Sequence, residues 1–258
     1  MDKRIAVCVS GGLDSFLAYR CACARYGKDN VASVFIDYGQ PYLTKEVRAV
    51  TQLIPDVTCV HAELAVPALF NVPTVEHQEV FGRNILLAFY GAQLAPEVWL
   101  SALETEMNVT AVRDKQPEFL HMLSALFTYT FVTKRAETVV TTPFRHHTKS
   151  DIVELALDEN WASQQEILST VSCYDGAHQN CGACSTCFKR WLAMVNNGIH
   201  EDYVLSPLLN HYGRTVCRLM AEEEATGKRS GRFSAARVQE TKAALAKVGY
   251  SLESFGNA

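Results

Sequence analysis

No apolar run in the 258-residue sequence approaches the roughly 20 residues that a membrane-spanning helix requires. Basic residues are not in excess: 24 Lys and Arg stand against 28 Asp and Glu, a formal net charge of −4. Binding to nucleic acid through global charge is therefore not expected, which leaves only a local basic patch. The opening Met1-Asp2-Lys3-Arg4 lacks the layout of an export signal and runs straight into a strand pattern. A cytoplasmic protein with no membrane partner is expected. Repeats and low-complexity tracts are also missing. The composition, 48% hydrophobic and 20% charged, is that of a globular chain, and its length suits one large domain or one domain with a small appendage.

The nine cysteines, an odd number without an export signal, do not suggest a disulfide framework. Cys8, Cys21, Cys23, Cys59 and Cys217 sit mostly among apolar residues and are expected to be buried small hydrophobes. The other four, Cys173, Cys181, Cys184 and Cys187, crowd into 15 residues rich in glycine and polar side chains. Four thiolates suit a closed tetrahedral Zn²⁺ site, with an iron–sulfur cluster as the rival. A closed site of this kind has no open position for hydrolysis.

The chain is organised around its start. Residues 5–9 read as a buried strand, followed by Ser10, Gly11, Gly12, Leu13, Asp14 and Ser15. A small-residue turn leading into a helix over 14–26 gathers backbone N–H groups and the positive helix end into a phosphate-shaped concavity. A Walker A loop is excluded, because no GxxxxGK[ST] is present and no lysine follows the glycines. A second strand over 31–36 ends at Asp37, Tyr38, Gly39 and Gln40. Strand, helix, strand is one βαβ unit, which implies a parallel sheet whose ligands bind beyond the carboxyl ends of the strands.

Polar residues recur at such ends. A helix is expected over 44–53, a strand over 57–61, and a mostly irregular stretch over 64–80. Arg83 and Asn84 open a helix over 85–94, and a strand over 97–102 leads to Glu104 and Thr105. Asp114 precedes a helix over 118–129 that carries Phe119. A strand over 136–142 runs into Thr142-Pro143-Phe144, and Lys149 stands before a helix over 150–157, where it either reaches phosphate or is solvated. Helices are expected over 214–223 and 234–247, with a basic loop, 226–232, between them.

Together these residues resemble the QueC family of 7-cyano-7-deazaguanine synthases, within the ATP pyrophosphatases of adenine-nucleotide alpha-hydrolase type. Ser10 to Ser15 is similar to their SGGxDS loop, Asp37 to Gln40 to DYGQ, and Gly82-Arg83-Asn84 to GRN. Glu104, Thr105 and Asp114 resemble the ETD…D region, and Thr142-Pro143-Phe144 with Lys149 resembles TPL with its following lysine. Ser172 to Gly176, Cys181 to Cys187 and Arg190 resemble the zinc element. The likeness spans about residues 4–200. SGGxDS is shared with other ATP pyrophosphatases; DYGQ, GRN and the cysteine spacing in this order are far more specific.

The resemblance implies a Rossmann-like, three-layer α/β fold: an open, mainly parallel sheet with a small helical, zinc-binding C-terminal region. It implies an ATP-binding core over residues 1–160, a Cys₄ element over 161–205 and a helical extension over 206–258. Ser10, Gly11, Gly12, Leu13, Asp14, Ser15, Asp37, Tyr38, Gly39, Gln40, Arg83, Asn84 and Lys149 would surround ATP, with Asp14 helping to hold Mg²⁺. Arg83 and Lys149 would offset phosphate charge. Glu104, Thr105, Asp114 and Phe119 would face a deazaguanine acid, which ATP and ammonia convert to the nitrile in a homodimeric enzyme.

The sequence departs from the family pattern in places. Leu13 stands where Gln is frequent, the stretch 64–81 is short, and 107–112 lacks the usual Asp- and Gly-rich loop. Some 50 residues follow the family core. The altered 107–112 stretch and the added tail motivate one alternative, an enzyme that stops at the amide or couples the acid to a macromolecular amine; the basic stretch from Lys228 to Arg232 motivates another, a non-catalytic RNA- or protein-binding module.

Overall fold

The computed structural model describes residues 3–40, 42–62, 82–107, 113–173, 175, 179–228 and 230–256. The expected irregular stretch 64–80, the altered residues 108–112, Tyr174, Gly176 and Arg229 lie outside them. Contacts divide the chain into two compact units, Met1–Ser101 with Asp114–Pro143, and Ala102–Arg113 with Phe144–Ala258.

The first unit holds a five-stranded, wholly parallel sheet in the order β3-β2-β1-β4-β5. Its strands are β1 (Ile5–Cys8), β2 (Val31–Asp37), β3 (Thr58–His61), β4 (Glu97–Trp99) and β5 (Val139–Thr141). β1 is central and buried throughout, as an unbroken apolar run with neighbours on both edges requires. Helices α1 (Leu13–Tyr26), α2 (Leu43–Leu53), α3 (Arg83–Leu94) and α5 (Pro117–Thr130) lie in this unit. α1 ends at Gly27, whose φ of 81° carries the chain out of the helix. Pro117 starts α5, where its missing N–H costs nothing.

The second unit is helical: α4 (Glu104–Met107), α6 (Lys149–Asp158), α7 (Gln164–Leu168), α8 (Ser185–Asn196), α9 (His211–Thr226), α10 (Ala235–Lys247) and α11 (Glu253–Gly256). Capping boxes open α6 (Thr148 with Asp151) and α7 (Ser163 with Glu166). Asn210 and Ser234 cap α9 and α10 through their side-chain oxygens. The core of this unit brings α8, α9, α10 and α11 together through Phe188, Leu192, Met220, Leu245 and Phe255.

The expected α/β class with a parallel sheet is the one found, and the expected helices lie within a few residues of their positions. β4 and β5 are three residues each, against the expected 97–102 and 136–142, and β1 and β3 are each one residue shorter. β4 stops at Trp99 because its ladder to β5 covers only three residue pairs, with one further bond from Leu100 N–H to Thr141 O at 2.9 Å. The buried Leu103 then gives its carbonyl to Glu106 and Met107 and starts α4, so the apolar run of 97–102 is not one strand. Cys59, expected to be buried, is exposed on β3, while Cys8, Cys21 and Cys217 are buried.

α3 approaches the sheet closely at Gly91, where a Cβ would stand 2.6 Å from Val98 Cγ1. Alanine normally gains about 1 kcal/mol over glycine in a helix, while overpacking costs about 1–3 kcal/mol. Val98 is fully buried and β-branched, so the clash wins. Gly91→Ala is expected to lower stability in denaturant unfolding; a more stable variant would show that α3 can shift outward.

Candidate nucleotide site and cysteine cage

Ser10 to Ser15 link the end of β1 to α1. Ser15 Oγ accepts from Ser10 N–H at 3.1 Å and donates to Gly12 O at 3.1 Å, closing the loop on itself. Gly11 has φ of 71°, and a Cβ there would meet Glu46 O at 2.9 Å and Val50 N at 3.1 Å. Glycine therefore lets the loop lie directly on α2. The first-turn amides of α1 have no partner within the helix, and no side chain of Gly12 caps them. Leu13 is buried and Asp14 half-buried in that turn. A loop of amides at a positive helix end is a place for phosphate oxygens.

Asp37, Tyr38, Gly39 and Gln40 form a turn held by its own side chains. Gly39 N–H donates to Asp37 Oδ1 at 2.9 Å, and Tyr38 N–H to Gln40 Oε1 at 3.0 Å. Burial acts to raise the Asp37 pKa, but the Gly39 N–H and His61, 2.8 Å away, outweigh it and hold the carboxyl below its ordinary value. Gln40 Nε2 donates to Glu46 Oε2 at 2.9 Å, which fixes the flip of the amide. Tyr38 accepts from Arg83 and from Tyr42, so Arg83 at the start of α3 is brought to this turn. Burial pushes both phenols up.

Asn84 is buried and donates to Asp114 Oδ2 at 2.8 Å and Asp114 O at 3.1 Å, so two predicted residues 30 positions apart in the chain meet directly. Phe119 is half-buried in the first turn of α5.

In the second unit, Glu104 and Thr105 form the first turn of α4, and Lys149 is buried at the start of α6. Glu104 Oε2 accepts from Ser234 Oγ at 3.1 Å, and Thr105 Oγ1 accepts from Arg237 Nη2 at 2.9 Å. Sequence reasoning missed Ser234, Arg237 and Glu46. The first two stand some 130 residues after Glu104 and Thr105 and beyond the family-like region, and Glu46 reads as one more polar residue of an amphipathic helix.

The four cysteine sulfurs lie within 4.8 Å of one another, with Cys181 and Cys187 Sγ 3.9 Å apart. A tetrahedral zinc with bonds of about 2.3 Å has edges of about 3.8 Å, so the cage fits a single such ion and is too small for a multi-iron cluster. Backbone N–H groups of Asp175 and Cys181 point at Cys173 Sγ at 3.4 Å, and that of Ala183 at Cys181 Sγ at 3.3 Å. These donors suit thiolate ligands. His178, expected to be a bystander, lies outside the described residues.

Arg190 braces this cage and is fully buried. Its Nε donates to both Glu201 carboxylate oxygens at 2.8 Å, Nη1 to Thr170 Oγ1 at 2.7 Å and Ser172 Oγ at 3.3 Å, and Nη2 to Ile167 O at 3.0 Å. One side chain thus ties the end of α7, the residue before Cys173 and the segment beyond α8.

The family model for queuosine biosynthesis protein QueC matches residues 60–198. A 7-cyano-7-deazaguanine synthase of Marinomonas sp. (strain MWYL1) is 26% identical over 221 residues, covering 77% of this chain and 96% of the relative. One from Methanococcus aeolicus is 27% identical over 240 residues, covering 78% and 99%, and one from Thermoplasma volcanium 26% over 247 residues, covering 85% and 98%.

Two outcomes are expected from this geometry. Burial lifts the Glu46 carboxyl from 4.5 to about 7, against the Gln40 hydrogen bond and the Arg83 charge. The folded state then holds this proton more tightly than the unfolded chain. Stability should fall as pH rises between these values, by up to about 3 kcal/mol. Glu46→Gln should flatten that slope in denaturation at pH 5 and 8; an unchanged slope would assign it elsewhere. Elemental analysis of the purified chain should give one zinc per chain, released on acidification as the thiolates take up protons. Cys187→Ser should lose the metal and lower the unfolding midpoint.

Proposed function

The chain belongs to the QueC family, and on that premise we propose that it converts 7-carboxy-7-deazaguanine, ammonia and ATP to 7-cyano-7-deazaguanine. It is an ATP-dependent enzyme of the carbon–nitrogen ligase class. The observation that carries the reading is the amide-lined Ser10–Ser15 loop between the central strand β1 and α1, beside the Asp37–Gln40 turn of β2. Such strand ends bind nucleotides in open parallel sheets.

A carboxylate is a poor electrophile and needs activation. Its attack on the ATP α-phosphate gives an acyl-adenylate and releases pyrophosphate. Ammonia displaces AMP to form the amide. Adenylation of the amide oxygen by a second ATP, with release of a second pyrophosphate, followed by loss of AMP and the two nitrogen-bound protons, leaves the nitrile. No nucleophilic side chain is needed on this route. The buried Cys8, whose thiol is pushed up to about 12, suits none.

In this reading Ser10, Gly11, Gly12, Leu13, Asp14 and Ser15 cradle the phosphates, and Asp37, Tyr38, Gly39, Gln40 and Asn84 border the nucleotide. Asp14 supplies the kind of carboxylate that Mg²⁺ uses together with phosphate oxygens and water; the ion would screen phosphate charge. Arg83 and Lys149 offset charge on the leaving groups. Glu104 and Asp114 accept from the guanine-like edge, whose N1–H and N2–H₂ are donors, with Thr105 and Phe119 alongside. The cysteine cage holds zinc in a structural role.

Functionally, residues 1–160 serve ATP, 161–205 the metal and 206–258 an extension, a division that cuts across the two compact units. A cytoplasmic homodimer completes the proposal. Among the described residues no helix is long and apolar enough to cross a membrane.

The test is mass spectrometry of products from ATP, ammonia and the carboxy base. The expected result is the nitrile together with AMP and pyrophosphate. A stable amide or a mass adduct on a macromolecule favours the amide or coupling reading. No turnover, with salt-sensitive RNA binding, favours a binding module.

A further inference from the structure

Beyond residue 198, where the family match ends, the chain returns to the residues read above as acid-binding. Helix α10 starts at Ser234, whose Oγ accepts from Arg237 N–H at 3.1 Å and donates to Glu104 Oε2 at 3.1 Å. Arg237 Nη2 donates to Thr105 Oγ1 at 2.9 Å, and Nη1 pairs with Glu240 Oε2. Glu240 Oε1 in turn accepts from Ser150 N–H at 2.9 Å and Ser150 Oγ at 2.8 Å, directly beside Lys149. Asn196 Nδ2 donates to Ser150 Oγ and Glu240 O, both at 3.0 Å. The relay Thr105–Arg237–Glu240–Ser150 is continuous and shielded, its members 5%, 6%, 5% and 9% exposed.

The polarity of this relay is fixed. A guanidinium only donates, so the Thr105 hydroxyl must accept from Arg237 and turn its own proton elsewhere. Ser234, occupied as acceptor by the Arg237 N–H, presents its proton to Glu104 and sets the plane of that carboxylate. The extension thereby fixes Thr105 as an acceptor toward Arg237 and holds the Glu104 carboxylate.

We infer that α10 is part of the acceptor-substrate site, with Ser234 and Arg237 as positioning residues that orient Glu104 and Thr105 for a ligand presenting adjacent hydrogen-bond donors and an acceptor, as a guanine-like acid does. Glu240 carries the same setting to Ser150. The inference rests on the reading of Glu104 and Thr105 as acid-binding.

The test uses the full chain with Ser234→Gly, Ser234→Thr and Arg237→Lys. Glycine is tolerated at a helix start but cannot donate to Glu104; threonine keeps both bonds. Lysine keeps the charge but loses the fork that reaches Thr105 and Glu240 together. Ser234→Gly and Arg237→Lys should raise KM for the acid about tenfold, the weight of a charge-assisted hydrogen bond, and leave KM for ATP unchanged. Ser234→Thr should behave as wild type. Should Arg237→Lys not fold, the two Ser234 variants decide.

Unchanged acid KM in a folded Ser234→Gly variant, or a joint rise of both KM values with a lowered unfolding midpoint, overturns the inference and leaves a structural clamp. Wild-type protein that neither binds the acid in calorimetric titration nor consumes it overturns the underlying reading, and the inference with it.

Discussion

Parallel pairing of all five strands forces each connection to leave from one edge of the sheet and return to the other, because a tight hairpin cannot join strands that run the same way. The order β3-β2-β1-β4-β5 adds a reversal: the chain goes outward from β1 in one direction, then returns to build the other side. Ser10 and Asp37 therefore stand at neighbouring strand ends, and helices must cover the sheet closely. Gly11 on α2 and Gly91 on Val98 are where that closeness leaves no room for a Cβ. The amides of the Ser10–Ser15 loop are thus placed by packing as well as by loop chemistry.

The second unit is governed by a different constraint, the burial of charge. Arg190 is wholly inside, and its five hydrogen bonds run to Glu201, Thr170, Ser172 and Ile167. Arg237 and Glu240 repeat the arrangement around α10. Taking such ions out of water costs several kcal/mol each, and the cost is offset only when nearly every donor finds an acceptor. Both sets of contacts therefore demand specific partners at specific places. The cysteine cage and α4 inherit that definition.

Much of this was legible in the sequence. Gly27, Pro117 and the apolar run of β1 mark their elements by local chemistry, and the four cysteines announce their own cluster. The short strands were not legible in length, since Leu100 to Leu103 are apolar whether they pair in a ladder or bury their side chains on the way to a helix. Capping boxes at Thr148 and Ser163 were readable signals that would have sharpened α6 and found α7. The pairings Asn84–Asp114, Ser234–Glu104 and Arg237–Thr105 were not readable, because each polar residue carries no local sign of a partner 30 to more than 100 positions away. Glu46 hides for the same reason: nothing in α2 says that its carboxyl lies under Gln40.

Arg190 also says where this chain must not be cut. The family match closes at residue 198, a natural place to end a recombinant fragment, yet the carboxylate that neutralises Arg190 belongs to Glu201. Beyond it, Leu205 N–H donates to Cys181 O at 3.1 Å, and Asn210 Nδ2 reaches Gly182 O at 2.7 Å. A fragment trimmed to the homologous segment would strand a guanidinium in the interior, at a cost of about 3–5 kcal/mol. The boundary drawn by similarity thus falls inside one set of contacts, for the helix that carries Arg190 also packs its Phe188 and Leu192 against Met220, Leu245 and Phe255.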